Sequence, residues 1–146
     1  MIRPATRKVQ AQMTPASPLR TLIVDDSREF LDRLEKWLSA HPGFEIVGKA
    51  YSGFEAIQRS RVLRPDLVVM DVAMPLMNGY EATARIKEGT HSPIVILISF
   101  FDRHEAHGES ELKADAFLMK DSLYRDLLPT VVRLFPQQSR QAEAEF

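Results

Sequence analysis

Apolar and polar residues alternate along the chain in two kinds of segment. Five short apolar runs are rich in β-branched or aromatic residues and are bounded by turn residues, which predicts strands. They are 19–24, 44–50, 67–70, 94–98 and 116–119. Between these runs, apolar residues recur at spacings of three and four, which predicts helices. The predicted helices are 27–41, 52–63, 78–86, 102–113 and 123–135.

The regular alternation of strands and helices predicts an α/β fold built from βαβ units. Such units form a doubly wound parallel sheet with helices on both faces. The first, third and fourth runs are almost continuously apolar, as is typical of strands buried on both sides at the centre of the sheet. We therefore expect one domain over residues 20–135, between a flexible extension (1–19) and a polar tail (136–146).

Composition narrows the function classes. The 146 residues include no cysteine, which excludes disulfides, thiolate nucleophiles and cysteine-ligated metals. The net charge of -1 gives no basic footprint for direct nucleic-acid binding. No apolar run approaches the roughly 20 residues that span a bilayer. We expect a cytoplasmic protein without a membrane segment.

Polar residues stand where the predicted strands end. Asp25 and Asp26 follow the first strand, Asp71 the third, Ser99 the fourth and Lys120 the fifth. In an open parallel sheet the carboxyl ends of the strands form the edge where ligands bind. Three carboxylates, a hydroxyl and an ammonium should therefore converge there.

The chemistry of this set points to phosphoryl transfer. Carboxylates that lie close together raise one another's pKa unless a cation sits among them. Oxygen ligands without histidine or cysteine suit Mg²⁺ or Mn²⁺. A carboxylate beside such a metal and a lysine can attack phosphorus as a nucleophile.

Four stretches together resemble the receiver domain of response regulators. They are LIVDDS, MDVAMPLMNGYEATARIK, VILIS and DAFLMKD, and the likeness covers residues 20–135. Because Lys120 is followed by Asp121, the chain is most similar to receivers of LuxR-type regulators, although no output domain follows residue 135. The resemblance implies a flavodoxin-like sheet of order 2-1-3-4-5 with five helices.

The resemblance also implies roles for the strand-end residues. Asp71 would accept a phosphoryl group from a histidine kinase or a histidine phosphotransfer protein. Asp25 and Asp26 would hold Mg²⁺ together with Asp71, and the backbone carbonyl of Ala73 would complete the protein ligands. The domain would signal through a protein target, as a phosphoprotein and not as an enzyme.

Three further residues would respond to phosphorylation. Lys120 would pair with the phosphoryl oxygens, Ser99 would move towards them, and Phe117 would swing inward as Ser99 moves. In this family a homodimer can form through the face made by the predicted fourth helix, the fifth strand and the last helix. No direct contact with nucleic acid or membrane is implied.

Three features depart from the family pattern, one of which is Gly108 within the predicted fourth helix. Phe100 follows Ser99 where receivers often have a small residue, so its ring could crowd the phosphoryl pocket. The segment 99–120 is also one or two residues shorter than usual. Two alternatives stay open: a phosphorylation-independent interaction module with the receiver fold, and the receiver fragment of a DNA-binding regulator. A phosphatase of the haloacid dehalogenase type is disfavoured, because Ala73 replaces the second acid that such enzymes need.

Overall fold

The computed structural model of the chain describes residues 17–100 and 113–136. The strands are β1 (Leu19–Val24), β2 (Phe44–Ala50), β3 (Leu67–Asp71), β4 (Ile94–Ser99) and β5 (Ala116–Met119). The helices are α1 (Arg28–Ser39), α2 (Gly53–Leu63), α3 (Gly79–Lys87) and α4 (Leu123–Leu134), and a 3-10 turn (Lys120–Ser122) joins β5 to α4. The helix predicted at 102–113 falls almost entirely on 101–112, outside the described residues.

All five strands lie in one sheet of order β2-β1-β3-β4-β5, and every neighbouring pair is parallel. The predicted fold class and strand order are therefore confirmed. The central strands β1, β3 and β4 are almost wholly buried, whereas the edge strands β2 and β5 are partly exposed along their length. This difference explains why the central runs are continuously apolar.

Helices cover both faces of the sheet and create two separate core clusters. On one face, side chains of α1 and α4 such as Leu34 and Leu127 pack on Ile23 and Ile96. On the other face, side chains of α2 and α3 pack on strand residues that include Leu97. Alternate strand residues point to opposite faces, so each central strand serves both clusters.

Side-chain caps set where three of the helices begin. Ser27 accepts a hydrogen bond from the backbone N–H of Phe30 at 3.2 Å, and Ser52 caps α2 in the same way. Asn78 and Glu81 form a reciprocal capping box at the start of α3. Among the described helices, none is both long and apolar enough to cross a bilayer.

Candidate functional site

Asp25 and Asp26 directly follow β1 at the carboxyl edge of the sheet. Asp25 is 1% exposed, and its Oδ1 accepts a hydrogen bond from the backbone N–H of Ser27 at 2.8 Å. Its Oδ2 accepts a hydrogen bond from Lys120 Nζ at 2.8 Å. Asp26 is exposed beside it. One carboxylate is therefore fixed by two donors and the other is open to solvent.

Asp71 is the last residue of β3 and is 5% exposed. Its Oδ1 lies 3.3 Å from Lys120 Nζ. The chain then turns back, and the backbone N–H of Gly79 donates a hydrogen bond to the carbonyl of Val72 at 2.8 Å. A Cβ on residue 79 would collide with the Asp71 carbonyl oxygen and would lie 2.9 Å from the Val72 Cα. Glycine at position 79 is thus required by the close approach of the backbone that carries Asp71.

The carboxylates of Asp25, Asp26 and Asp71 form a cluster whose oxygen atoms lie within 4.8 Å of one another. Burial, followed by the charge of Asp25, raises the pKa of Asp71 to about 6. Burial also raises the pKa of Asp25, although the hydrogen bond from Lys120 opposes this shift. One ammonium therefore does not offset the charge of this carboxylate cluster. Its all-oxygen donor set suits a hard divalent cation, so the residues present fit Mg²⁺.

Lys120 is the first residue after β5, and its side chain is 7% exposed. Besides contacting two carboxylates, its Nζ lies over two aromatic rings. The distance is 4.3 Å to the ring centroid of Phe30 and 4.9 Å to that of Phe100. The ammonium thus stands between carboxylates and the faces of two phenylalanines.

The structure brings Asp25, Asp26, Asp71 and Lys120 together, as the sequence predicts. Ser99 is buried at the end of β4, and Ala73 is exposed in the turn after β3. Phe117 belongs to β5 and packs partly buried against the core cluster under α2 and α3. Of these three residues, Ser99 and Ala73 follow or end the central strands at the carboxyl edge, whereas Phe117 packs within the sheet.

Sequence reasoning missed the two rings that contact Lys120. Phe30 has the spacing of the apolar residues of α1, and the sequence indicates Phe100 only as bulk at the phosphoryl pocket. Contacts between a lysine and rings that are 90 and 20 positions away in the chain leave no local pattern. Only the position of Phe100 directly after a strand-end hydroxyl offered a signal.

Comparison with known proteins adds independent findings. The sequence model of the response regulator receiver domain matches residues 21–132. The chain is 40% identical over 112 residues to protein-glutamate methylesterase/protein-glutamine glutaminase 2 of Anaeromyxobacter dehalogenans, which covers 75% of this chain and 32% of that protein. The chain spans between 21% and 56% of the length of three curated relatives, two of them methylesterases of this kind and the third the transcriptional regulatory protein PdtaR of Mycobacterium tuberculosis.

Two solved structures illustrate the fold likeness. A LuxR-family two-component response regulator from Aurantimonas sp. SI85-9A1 superimposes with a TM-score of 0.75 at 24% identity, covering 88% of this chain and 95% of that one. A chain of the CheX-CheY-BeF3-Mg²⁺ complex from Borrelia burgdorferi gives 0.69 at 27% identity, covering 82% and 90%. The predicted likeness to LuxR-type receivers is confirmed at the level of the fold.

Proposed function

Because the chain belongs to the response regulator receiver domain family of two-component signalling, we propose that Asp71 is its phosphoacceptor. The observation that carries this proposal is the contact between the buried Asp71 carboxylate and Lys120, inside a cluster of three carboxylates. The opposite end of the same strand offers no comparable cluster among the described residues. The donor is a histidine kinase or a histidine phosphotransfer protein.

The transfer forms one bond and breaks one. A side-chain oxygen of Asp71 attacks phosphorus, and the phosphorus–nitrogen bond to the donor histidine breaks as the phosphorus–oxygen bond forms. The imidazole leaves with the bonding electron pair and takes up a proton from solvent. Lys120, whose Nζ lies 3.3 Å from Asp71 Oδ1, donates a hydrogen bond to the phosphoryl oxygens.

The proposal includes a divalent metal held by side chains of the carboxylate cluster and by the backbone carbonyl of Ala73. When bound, Mg²⁺ offsets the negative charge of the carboxylates and of the phosphoryl oxygens. The raised pKa of Asp71 is consistent with this assignment, because burial and the charge of Asp25 both disfavour the ionised carboxylate, which a bound cation would stabilise. The neighbouring CheX-CheY structure contains Mg²⁺ together with BeF3.

Signal output in this proposal goes through proteins. Ser99 and Phe117 change conformation with phosphorylation, and a downstream protein binds the changed surface. Direct binding to nucleic acid or membrane is not part of the proposal, and the proposed location is the cytoplasm. The homodimer through the predicted fourth helix, β5 and α4 stays a prediction, since that helix lies outside the described residues.

The proposal is tested by intact-mass measurement after incubation with acetyl phosphate and Mg²⁺. The wild type should gain the mass of one phosphoryl group, and Asp71→Asn should gain none. Asp66→Asn is a matched control at the other end of β3, where the Asp66 Oδ2 accepts a hydrogen bond from the backbone N–H of Arg20. It should be phosphorylated like the wild type.

Two results would contradict the assignment. Labelling that persists in Asp71→Asn would remove Asp71 from the role. A folded wild type that takes up no phosphoryl group from acetyl phosphate or from a phosphorylated kinase would favour the phosphorylation-independent interaction module instead.

A further inference from the structure

The surroundings of Lys120 contain more than the charges that a phosphoryl site requires. A lysine side chain is long and flexible, and here its ammonium already contacts Asp25 at 2.8 Å and Asp71 at 3.3 Å. Two ring faces, those of Phe30 and Phe100, lie under the same nitrogen atom. Ring faces attract cations through their quadrupole and offer no competing hydrogen-bond acceptor.

We propose that Phe30 and Phe100 form an aromatic clamp that positions the Lys120 ammonium for the phosphoryl group. This inference rests on the proposed function of Asp71. The clamp limits the ammonium to a short path between the Asp25 carboxylate and the oxygens at Asp71. Phe30 and Phe100 are positioning residues, because they act through Lys120 and do not contact the reacting atoms.

The two rings of the clamp come from the first turn of α1 and from the residue that follows β4. Phe30 lies in the first turn of α1, where its backbone N–H is bound by the Ser27 cap. Phe100 directly follows the last residue of β4. A helix that is fixed by packing holds a functional side chain more precisely than a free loop does, and this applies to Phe30.

Exposure of Phe100 supports a role beyond core packing. The residue is 62% exposed, whereas the side chain of Lys120 beside it is 7% exposed. A large apolar ring that stays in solvent contributes little to the core, but here it shields an ammonium. The ring is therefore expected to affect the position of the Lys120 ammonium more than the stability of the fold.

The clamp can be observed directly in the unphosphorylated protein by the NMR signal of the Lys120 ammonium, assigned by its loss in Lys120→Met. Protons above a ring face are shifted upfield, so this signal should lie upfield of the other lysine signals. It should move towards them in Phe100→Leu and keep its position in Phe100→Tyr, which retains the ring. An unchanged signal in Phe100→Leu would overturn the clamp.

Phosphorylation kinetics test whether the clamp matters for the reaction. With acetyl phosphate and Mg²⁺, Phe100→Leu should lower the maximal rate of phosphorylation about threefold to tenfold. The acetyl phosphate concentration that gives the half-maximal rate should change little. Phe100→Tyr, which retains the ring, should be phosphorylated at the wild-type rate. Phe54→Leu is the matched control, because Phe54 is 55% exposed and lies on α2, and it is not one of the two rings under the Lys120 ammonium.

The outcomes separate the clamp from a steric lid and from failure of the proposed function. A ring that only blocks access would make Phe100→Leu as fast as the wild type or faster, and the clamp would then be wrong. If the wild type takes up no phosphoryl group, the assignment of Asp71 fails, and the ammonium signal alone decides whether the clamp exists. Thermal melting of each variant separates both results from loss of folding.

Discussion

Strand β3 has an aspartate at each end, and the surroundings of the two differ. Asp66, just before the strand, accepts a hydrogen bond from the backbone N–H of Arg20. The Arg20 guanidinium close by donates to the carbonyls of Leu63 and Arg64. Asp71, at the other end, shares the Lys120 ammonium with Asp25. At the amino end, the carboxylate and the two carbonyls accept hydrogen bonds from different groups of Arg20. At the carboxyl end, two buried carboxylates share one lysine, so negative charge is in excess.

A second aspartate at the amino edge of the sheet, Asp115, also differs from Asp71 in having its own partners. The Asp115 Oδ2 lies 2.6 Å from Lys87 Nζ and also accepts a hydrogen bond from the backbone N–H of Val95 at 2.8 Å. Lys87 Nζ donates in addition to the carbonyl of Pro93. The charged groups of Asp115 and Lys87 at the amino edge therefore have hydrogen-bond partners that stabilise the fold. The carboxyl edge keeps buried negative charge, which the proposed metal and phosphoryl group would use, and we expect this charge to lower stability in metal-free protein.

The largest expected effect follows from the crowded backbone at the carboxyl edge. Gly79→Ala should lower the free energy of unfolding by about 3 kcal/mol or more, because the new Cβ meets backbone atoms of Asp71 and Val72. Gly48→Ala is the control, since its Cβ would meet side-chain ends and no backbone atom, lying 2.8 Å from a methyl carbon of Leu63 and 3.5 Å from one of Leu22. Chemical denaturation measures both. Equal losses would show that the turn after β3 can relax.

The charge imbalance should appear as a dependence of stability on pH in metal-free protein. The pKa of Asp71 is raised from 3.8 to about 6, so the folded state holds its proton after the unfolded state has released it. The free energy of unfolding should therefore fall as pH rises from about 4 to above 6, by up to ~3 kcal/mol. Asp25, whose pKa is also raised, contributes with the same sign.

Denaturation curves at several pH values check this expectation. Asp71→Asn should flatten the fall and be more stable than the wild type at pH 7. Added Mg²⁺ should do the same for the wild type, because it offsets the buried charge. A wild type whose metal-free stability rises between pH 4 and 6 would contradict the charge imbalance.

The amino edge should respond in the opposite way to loss of a carboxylate. Asp115→Ala removes the acceptor of the buried Val95 N–H and the partner of Lys87, so it should lower the free energy of unfolding by about 2 kcal/mol. Asp115→Asn keeps an acceptor for Val95 and should cost less. Neither change should reduce phosphorylation of Asp71. If Asp115→Ala raised the free energy of unfolding, the proposed difference between the two edges would be wrong.

The smallest expected effect concerns backbone strain, which both edges share. Leu76, in the turn after Asp71, has a φ of 69° and is 94% exposed. Leu76→Asn should raise the free energy of unfolding by about 1 kcal/mol, because asparagine tolerates the left-handed region better. Arg64, with a φ of 51° at the end of α2, should gain a similar amount as Arg64→Asn. Thermal melting measures both variants. If the melting temperature rises in only one of them, backbone strain is confined to that edge.

Much of the fold could be predicted because it is written in local patterns. The apolar runs and the caps at Ser27 and Ser52 predict strands and helix starts within a few residues. The strand-end positions of Asp25, Asp71 and Lys120 predict a common site, since the carboxyl ends of parallel strands share one edge. The domain limits of 20–135 and the roles of Ser99, Phe117 and Ala73 stay predictions.

The sequence by itself determined which residues end the strands, and hence which charges meet at the carboxyl edge. Tertiary structure alone decided how deeply those charges are buried and what else reaches them. The pKa of Asp71 depends on desolvation and on its distance from Asp25. The contacts of Phe30 and Phe100 with Lys120 join three elements that are remote in the chain. Such effects depend on distances of a few ångströms between side chains, which chain folding sets and periodicity does not encode.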